Sequence, residues 1–308
     1  MSKNLTLSVS PHIHSGRSTR RIMLDVILAL LPTAVAGCII FGLRALLVMA
    51  VTVASAVAFE ALFNVIVKKK QTIGDLSAIV TGLLLALNLP ANVPIWQCVI
   101  GALFAIVVVK CLFGGLGCNP VNPAITARVF MLVAFGSMAK AAFPQGVDAV
   151  AGATPLASEE ATSLTDLLLG VHGGAIGETC AIALLIGFVY LLVRRVISWH
   201  LPVVFIGTVF AASFFMEGMS ATAALAAVLS GGLLIGAIFM ATDYVTSPST
   251  AWGKVIFGVG AGLITFLIRY FGVYPEGVSF AILFMNILTP FIDSWTKHKV
   301  FGVGGKKA

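Results

Sequence analysis

Ser77-Ala-Ile-Val-Thr-Gly-Leu-Leu-Leu85 and Ala226-Ala-Val-Leu-Ser-Gly-Gly-Leu-Leu234 are two versions of one pattern: small apolar residues, a hydroxyl, glycine, then leucines. Each is followed by a polar, Pro-containing break, a tryptophan (Trp96, Trp252) and a Gly-rich apolar span. Working outward, the chain divides into ten hydrophobic segments, at about 22–42, 45–67, 76–90, 93–113, 121–137, 177–193, 201–216, 222–241, 254–271 and 277–293. Several are short against the roughly 20 residues a full span needs. Five segments per half is an odd number, so the second half enters the bilayer from the opposite side and the repeat is inverted. Such folds place their sites at the repeat interface, where short helices break. The competing explanation is chance similarity among strings of Leu, Gly and Ala.

Composition agrees with a membrane reading. Of 308 residues, 59% are hydrophobic and 10% charged, and the mean hydropathy is +1.06. The expected fold class is therefore an all-α polytopic membrane protein, about ten transmembrane helices in two inverted five-helix repeats. The first 20 residues are polar and basic, with no apolar core before a cleavage site. The net charge of +7 is a topology signal and needs no nucleic acid to explain it. With the N-terminus in the cytoplasm, sixteen of the 19 Lys and Arg residues fall on the inner side, Lys110 and Arg128 among them. Only Arg44, Lys140 and Arg269 fall outside. The expected layout is a cytoplasmic tail (1–21), a first repeat (22–137), an extracytoplasmic loop (138–176), a second repeat (177–293) and a cytoplasmic tail (294–308).

Polar groups at membrane depth need partners, so each is a candidate site. The densest cluster is Gly114-Gly-Leu-Gly-Cys-Asn119-Pro-Val-Asn122-Pro-Ala124. Two Asn-Pro pairs form a rigid turn whose amides suit a neutral planar ligand with N–H and C=O groups. Asn122 also fits a helix N-cap with Pro123 at the first helical position. Arg128 follows on the same helix and could face a carbonyl or phosphate. The matching cluster in the second half is Thr242-Asp243-Tyr-Val-Thr246-Ser247-Pro-Ser-Thr250, alternatively an ordinary Ser/Thr/Pro loop. Glu60 is either an ion-pathway carboxylate or the partner of a nearby Lys or Arg. Asp25 reads as a helix-start carboxylate. His12 and His14 lack metal-ligand spacing, and Cys38, Cys98, Cys111, Cys118 and Cys180 read as small buried hydrophobes.

The external loop carries Ala151-Gly152-Ala153-Thr154-Pro155-Leu156, small residues around one hydroxyl. Taken alone, it is a Gly-containing turn with a Pro stop. Together with Ser10-Pro-His-Ile-His14, the Asn-Pro cluster and Thr242-Asp-Tyr-Val-Thr-Ser-Pro248, it resembles the RnfD family, the D subunits of the Rnf complexes, which are ion-translocating ferredoxin:NAD oxidoreductases. The related B subunit of the sodium-pumping NADH:quinone oxidoreductase has a longer N-terminal extension.

The resemblance implies FMN joined through its phosphate to Thr154, with Gly152 and Ala153 giving a flavin transferase room to grip; Ala151 replaces the family's usual Ser. It implies a second, noncovalent flavin, riboflavin, near Asn119 and Asn122, and the facing loop adds Asp243, Thr246 and Ser247. It further implies a bacterial cytoplasmic membrane and a set of partners within the complex: the NADH-binding C protein, the FMN-bearing G protein, the membrane proteins A and E, and the iron–sulfur protein B. The alternative is an inverted-repeat solute transporter or channel without a redox role.

Overall fold

The structure, a computed structural model, describes residues 18–136, 142–143, 163–170, 172–272 and 277–297. Twelve helices account for the described secondary structure apart from one short 3-10 turn and an isolated bridge between Ala142 and Gly174. The first half holds α1 (Thr19–Phe41), α2 (Leu43–Ile66), α3 (Ser77–Leu87), α4 (Ile95–Cys111) and α5 (Pro123–Ala134). After the short α6 (Leu164–Leu169), the second half holds α7 (Ala181–Val193), α8 (His200–Met216), α9 (Ala221–Leu229), α10 (Leu233–Met240), α11 (Ala251–Phe271) and α12 (Val278–Thr296).

Four of these, α1, α2, α11 and α12, are long and apolar enough to cross a membrane, and the α9–α10 pair makes a fifth. Their outward faces are greasy: Leu24, Leu28, Leu31, Val35 and Ile39 lie exposed along one side of α1, and Phe284, Ile287, Phe291 and Trp295 along α12. Water would not tolerate such continuous apolar faces, whereas hydrocarbon does. Five more helices, α3, α4, α5, α7 and α8, are apolar but shorter. α4 ends in π-helical winding from Phe104 to Cys111.

The segment limits move where local chemistry dictates. α1 begins at Thr19, capped by the Ser18 hydroxyl accepting from Arg21 N, and α12 runs to Thr296. The segment expected at 222–241 is not one helix. Ser230-Gly-Gly232 breaks it, and α9 and α10 meet at 66°. The segment expected from 177 is helical only from Ala181.

Close approach through glycine sets the packing. α2 packs on α3 and α4, as α8 does on α9 and α11. A Cβ at Gly82 would lie 3.0 Å from Val53 Cα, so no larger residue fits between α2 and α3; Gly262 holds the same place between α11 and α8. Small residues at helix crossings are the usual device where lipid supplies no hydrophobic drive. The halves meet where α1 lies along α7 and α5 along α12.

Candidate functional site

The site begins at Asn122. Its Oδ1 accepts from Ala124 N (3.0 Å) and Ile125 N (3.3 Å), capping α5 with Pro123 behind it. Its Nδ2 donates to Met240 O (3.1 Å), the last residue of α10. The amide oxygen and one amide proton are therefore spent on joining the start of α5 to the end of α10, and among the described residues no acceptor is shown for the second amide proton. Asn286 of α12, with its amide oriented to satisfy both neighbours, accepts from Asn122 N (3.1 Å) and donates to Thr246 O (3.1 Å). Thr289 also donates to Thr246 O (2.9 Å). The loop after α10 is thereby pinned beside the Asn-Pro turn, so the two sequence clusters do meet.

Within that loop, Thr246 Oγ1 donates to Asp243 Oδ2 (3.2 Å) and Ser247 N to Asp243 O (3.0 Å). Burial pushes the Asp243 carboxyl up, against hydrogen bonds from Thr246, Val245, Asn119 and Tyr244 that pull it down. Asn119 Nδ2 donates to Val121 O (3.1 Å). Tyr244 donates to Val196 O across to the α7–α8 turn.

These residues border a cavity of about 380 Å³, within the roughly 300–1,000 Å³ of ligand pockets. Asn119, Asn122 and Asp243 line it, and so do Lys110 and Ser77. Most of the remaining wall is apolar, from residues such as Val26, Val80, Leu191 and Phe239. An apolar slot with hydrogen-bonding groups in two places suits a planar ring with polar edges. Arg128, Thr246 and Ser247 do not line it; Thr246 acts by holding Asp243.

Lys110, expected among the inner loop charges, is buried, at 3% exposure. Its Nζ donates to Glu60 Oε2 (2.7 Å) and Ser77 Oγ (2.6 Å). Glu60, 2% exposed, accepts at its other oxygen from Thr72 (2.5 Å), and Ser77 Oγ donates to Asp75 (2.5 Å). Glu60 thus takes the paired option. A lysine inside Ala-Ile-Val-Val-Val-Lys-Cys-Leu-Phe is the signal that could have found it, because a charge in an apolar run requires a partner.

Deeper in the bundle, Arg128 Nη1 donates to Asn88 Oδ1 (2.6 Å). Asn88 Nδ2 reaches Met240 Sδ (3.5 Å) as well as Leu84 O (2.7 Å). Glu178 Oε1 accepts from Ala175 N (2.8 Å). A Cβ built on Gly232 would lie 2.8 Å from Glu178 Oε2 and 3.5 Å from Arg128 Nη1, so both surround the α9–α10 break. Arg128 therefore faces an amide carbonyl of the protein itself and does not line the cavity beside the Asn119–Asn122 turn. Sequence reasoning missed Asn88, Glu178 and Asn286, single polar residues in apolar strings.

Two further expectations change. Asp25 is not at the start of its helix but more than a turn inside it, where it accepts from Tyr190 of α7 (3.1 Å) and from Nε of Arg194, which caps that helix (3.2 Å). Cys118 is exposed, unlike buried Cys98 and Cys111. Gly152, Ala153 and Thr154 lie outside the described residues. Among the described residues no group of three or more His, Cys, Asp or Glu could hold a metal.

Comparison with known proteins gives a consistent result. The model of the NQR2, RnfD, RnfE family matches residues 6–302. The chain is 47% identical to the D subunit of the Na(+)-translocating ferredoxin:NAD(+) oxidoreductase complex of Acetobacterium woodii, over 97% of this chain and 96% of that protein. It is 41% identical to the D subunit of the proton-translocating ferredoxin:NAD(+) oxidoreductase complex of Clostridium ljungdahlii, over 97% of each. It is 35% identical to the D subunit of the ion-translocating oxidoreductase complex of Citrobacter koseri, over 96% of this chain and 98% of that protein. Matched nearly end to end by the family model and by these relatives, the chain belongs to the NQR2, RnfD, RnfE family.

Proposed function

We propose that this chain is the flavoprotein membrane subunit of a ferredoxin:NAD oxidoreductase complex that couples electron flow to Na⁺ or H⁺ movement. The end-to-end likeness to proteins named as the D subunits of such complexes carries this reading. Thr154 holds FMN by a phosphoester, with Gly152 and Ala153 beside it. Riboflavin sits noncovalently in the cavity bordered by Asn119, Asn122 and Asp243, whose volume and apolar walls fit a tricyclic ring. A flavin supplies one- and two-electron chemistry, and the protein supplies position and electrostatics. Here Asn122 holds two helix ends together, Thr246 and Ser247 hold the Asp243 loop, and Arg128 fixes Asn88 beneath it.

The chain acts within an assembly, with the C, G, A, E and B proteins of the complex as partners, in the bacterial cytoplasmic membrane. Both termini are cytoplasmic and the Thr154 loop extracytoplasmic. Ten spans in two inverted repeats account for the matching arrangement of α2 on α3 and α4, and of α8 on α9 and α11. The relatives' names divide between sodium and proton, so the coupling ion is left as either. A solute transporter would explain the broken helices but gives the likeness to redox subunits no role.

Two measurements test the reading. Mass spectrometry of the loop peptide should show an FMN adduct that Thr154→Ala removes; unmodified Thr154 in active complex defeats the covalent assignment. Acid extraction should release riboflavin from the wild type and not from Asn122→Leu, which also loses the α5 cap at a cost of about 1 kcal/mol. Equal riboflavin from a folded Asn122→Leu removes the turn from the site.

A further inference from the structure

Lys110 is tied to the protein by two of its three ammonium protons, and it lines the cavity. Among the described residues no acceptor is shown for the third. Every other described Lys and Arg is absent from the cavity wall, so among the described residues this is its single cation. Glu60, which balances the charge, is not part of that wall. The ion pair is therefore oriented: its positive end meets the cavity, and its negative end is turned to Thr72. Ser77, which also lines the cavity, fixes the ammonium from α3 while Glu60 fixes it from α2. Few side chains are as expensive to keep at this depth as a lysine, and packing alone does not call for one.

We propose that Lys110 sets the redox balance of the molecule held in this cavity, stabilising its reduced, negatively charged form over its neutral oxidised form. The inference rests on the reading of the cavity as a noncovalent flavin site. An electron arriving from a one-electron carrier, an iron–sulfur centre or a second flavin, gives a neutral ring one net negative charge. No bond is made or broken, and no proton is consumed. In a low-dielectric cavity a fixed positive neighbour favours that charge strongly, because little solvent screens it. Since the ammonium is already locked by Glu60 and Ser77, it need not reorganise when the electron arrives. Lys110 thus acts as a positioning residue for charge and takes no proton or electron itself.

The test uses the full chain carrying Thr154→Ala, so that any flavin present is the noncovalent one, with acid extraction and a spectroelectrochemical titration. Lys110→Met should weaken binding of the reduced ring relative to the oxidised one at least tenfold, lowering the one-electron midpoint by ~59 mV or more. Lys110→Arg should keep the midpoint near that of the parent, and Glu60→Gln should raise it. If Lys110→Met fails to fold because Glu60 is left unpaired, the double variant Glu60→Gln/Lys110→Met removes both charges and should still show a lowered midpoint. A parent-like midpoint in Lys110→Met or in the double variant overturns the inference while leaving the flavin site standing. Equal flavin loss from Lys110→Met and Lys110→Arg also overturns it, because shape and not charge would then be responsible. Absence of extractable flavin from the parent chain defeats the flavin site itself and the inference with it.

Discussion

At the residue scale, most of what organises this protein is a polar side chain finding an unexpected partner. Arg128 Nη1 and Asn88 Oδ1 meet at 2.6 Å between α5 and the end of α3. Arg128→Leu should therefore lower stability in detergent by about 1–3 kcal/mol, the cost of stranding a buried acceptor, seen as a lower Tm; an unchanged Tm would mean that Asn88 repairs itself. Asp243 yields a pH prediction. Its carboxyl is held above the usual range by burial, so the folded chain binds that proton more tightly than the unfolded chain. The associated stability is complete below the unfolded value and is lost as pH rises through the folded one. Asp243→Asn should gain Tm over the parent at pH 8 and gain nothing near pH 3. The sequence exposed Asn119, Asn122 and Asp243 as costly polar residues, but not which atoms they serve. Asp25 shows why: its neighbours Arg20 and Arg21 suggested a local role, while its partner Arg194 lies far along the chain.

At the element scale, the apolar strings announced helices but not their lengths. Ser230-Gly231-Gly232 is as hydrophobic in its surroundings as an intact span, yet Gly231 and Gly232 both adopt positive φ, at 69° and 67°. The bend then exposes the carbonyls of α9, and Arg269 of α11 donates to Ala227, Ser230 and Gly231 O at 2.5, 3.0 and 3.0 Å. Arg44 of α2 does the same for Ala91 and Val93 O, at 3.4 and 3.1 Å. Cations at helix C-terminal ends are favoured by the helix dipole, so Arg269 caps α9, while Arg44 satisfies loop carbonyls between α3 and α4. Gly232→Ala should cost about 1–2 kcal/mol from the left-handed backbone alone, with more from the carboxylate of Glu178 2.8 Å away. Gly207→Ala is the control: nothing lies within 4 Å of its added Cβ in α8. It should gain roughly 0.5–1 kcal/mol. Chemical-denaturation midpoints of the two variants should move in opposite directions.

At the scale of the whole molecule, the helical membrane architecture was legible because hydropathy is a property of long windows, which do not require knowing any partner. Lys110 and Arg128 are buried and belong in no loop count, so the expected orientation rests on the charge asymmetry of the other cations over the expected segments. In a Cys118→Ser background, which removes the exposed thiol, Glu160→Cys should react with an impermeant thiol reagent in intact cells, and Gly302→Cys should not. The opposite pattern would turn the molecule over.

The short helices have an electrical consequence. α3 has 11 residues and α5 has 12, each a rise of only about 16–18 Å in a hydrocarbon layer of roughly 30 Å. Non-helical chain continues from the end of α3: Ile176 N donates to Leu89 O (3.0 Å) and Gly177 N to Leu87 O (2.7 Å). That backbone is enclosed by protein, the condition under which polar non-helical chain is tolerated at membrane depth. Wherever such polar backbone enters the bilayer, a transmembrane voltage, worth about 2.3 kcal/mol per charge per 100 mV, falls across a thinner apolar layer. A charge moved across that thinner layer does its work against the potential in one short step.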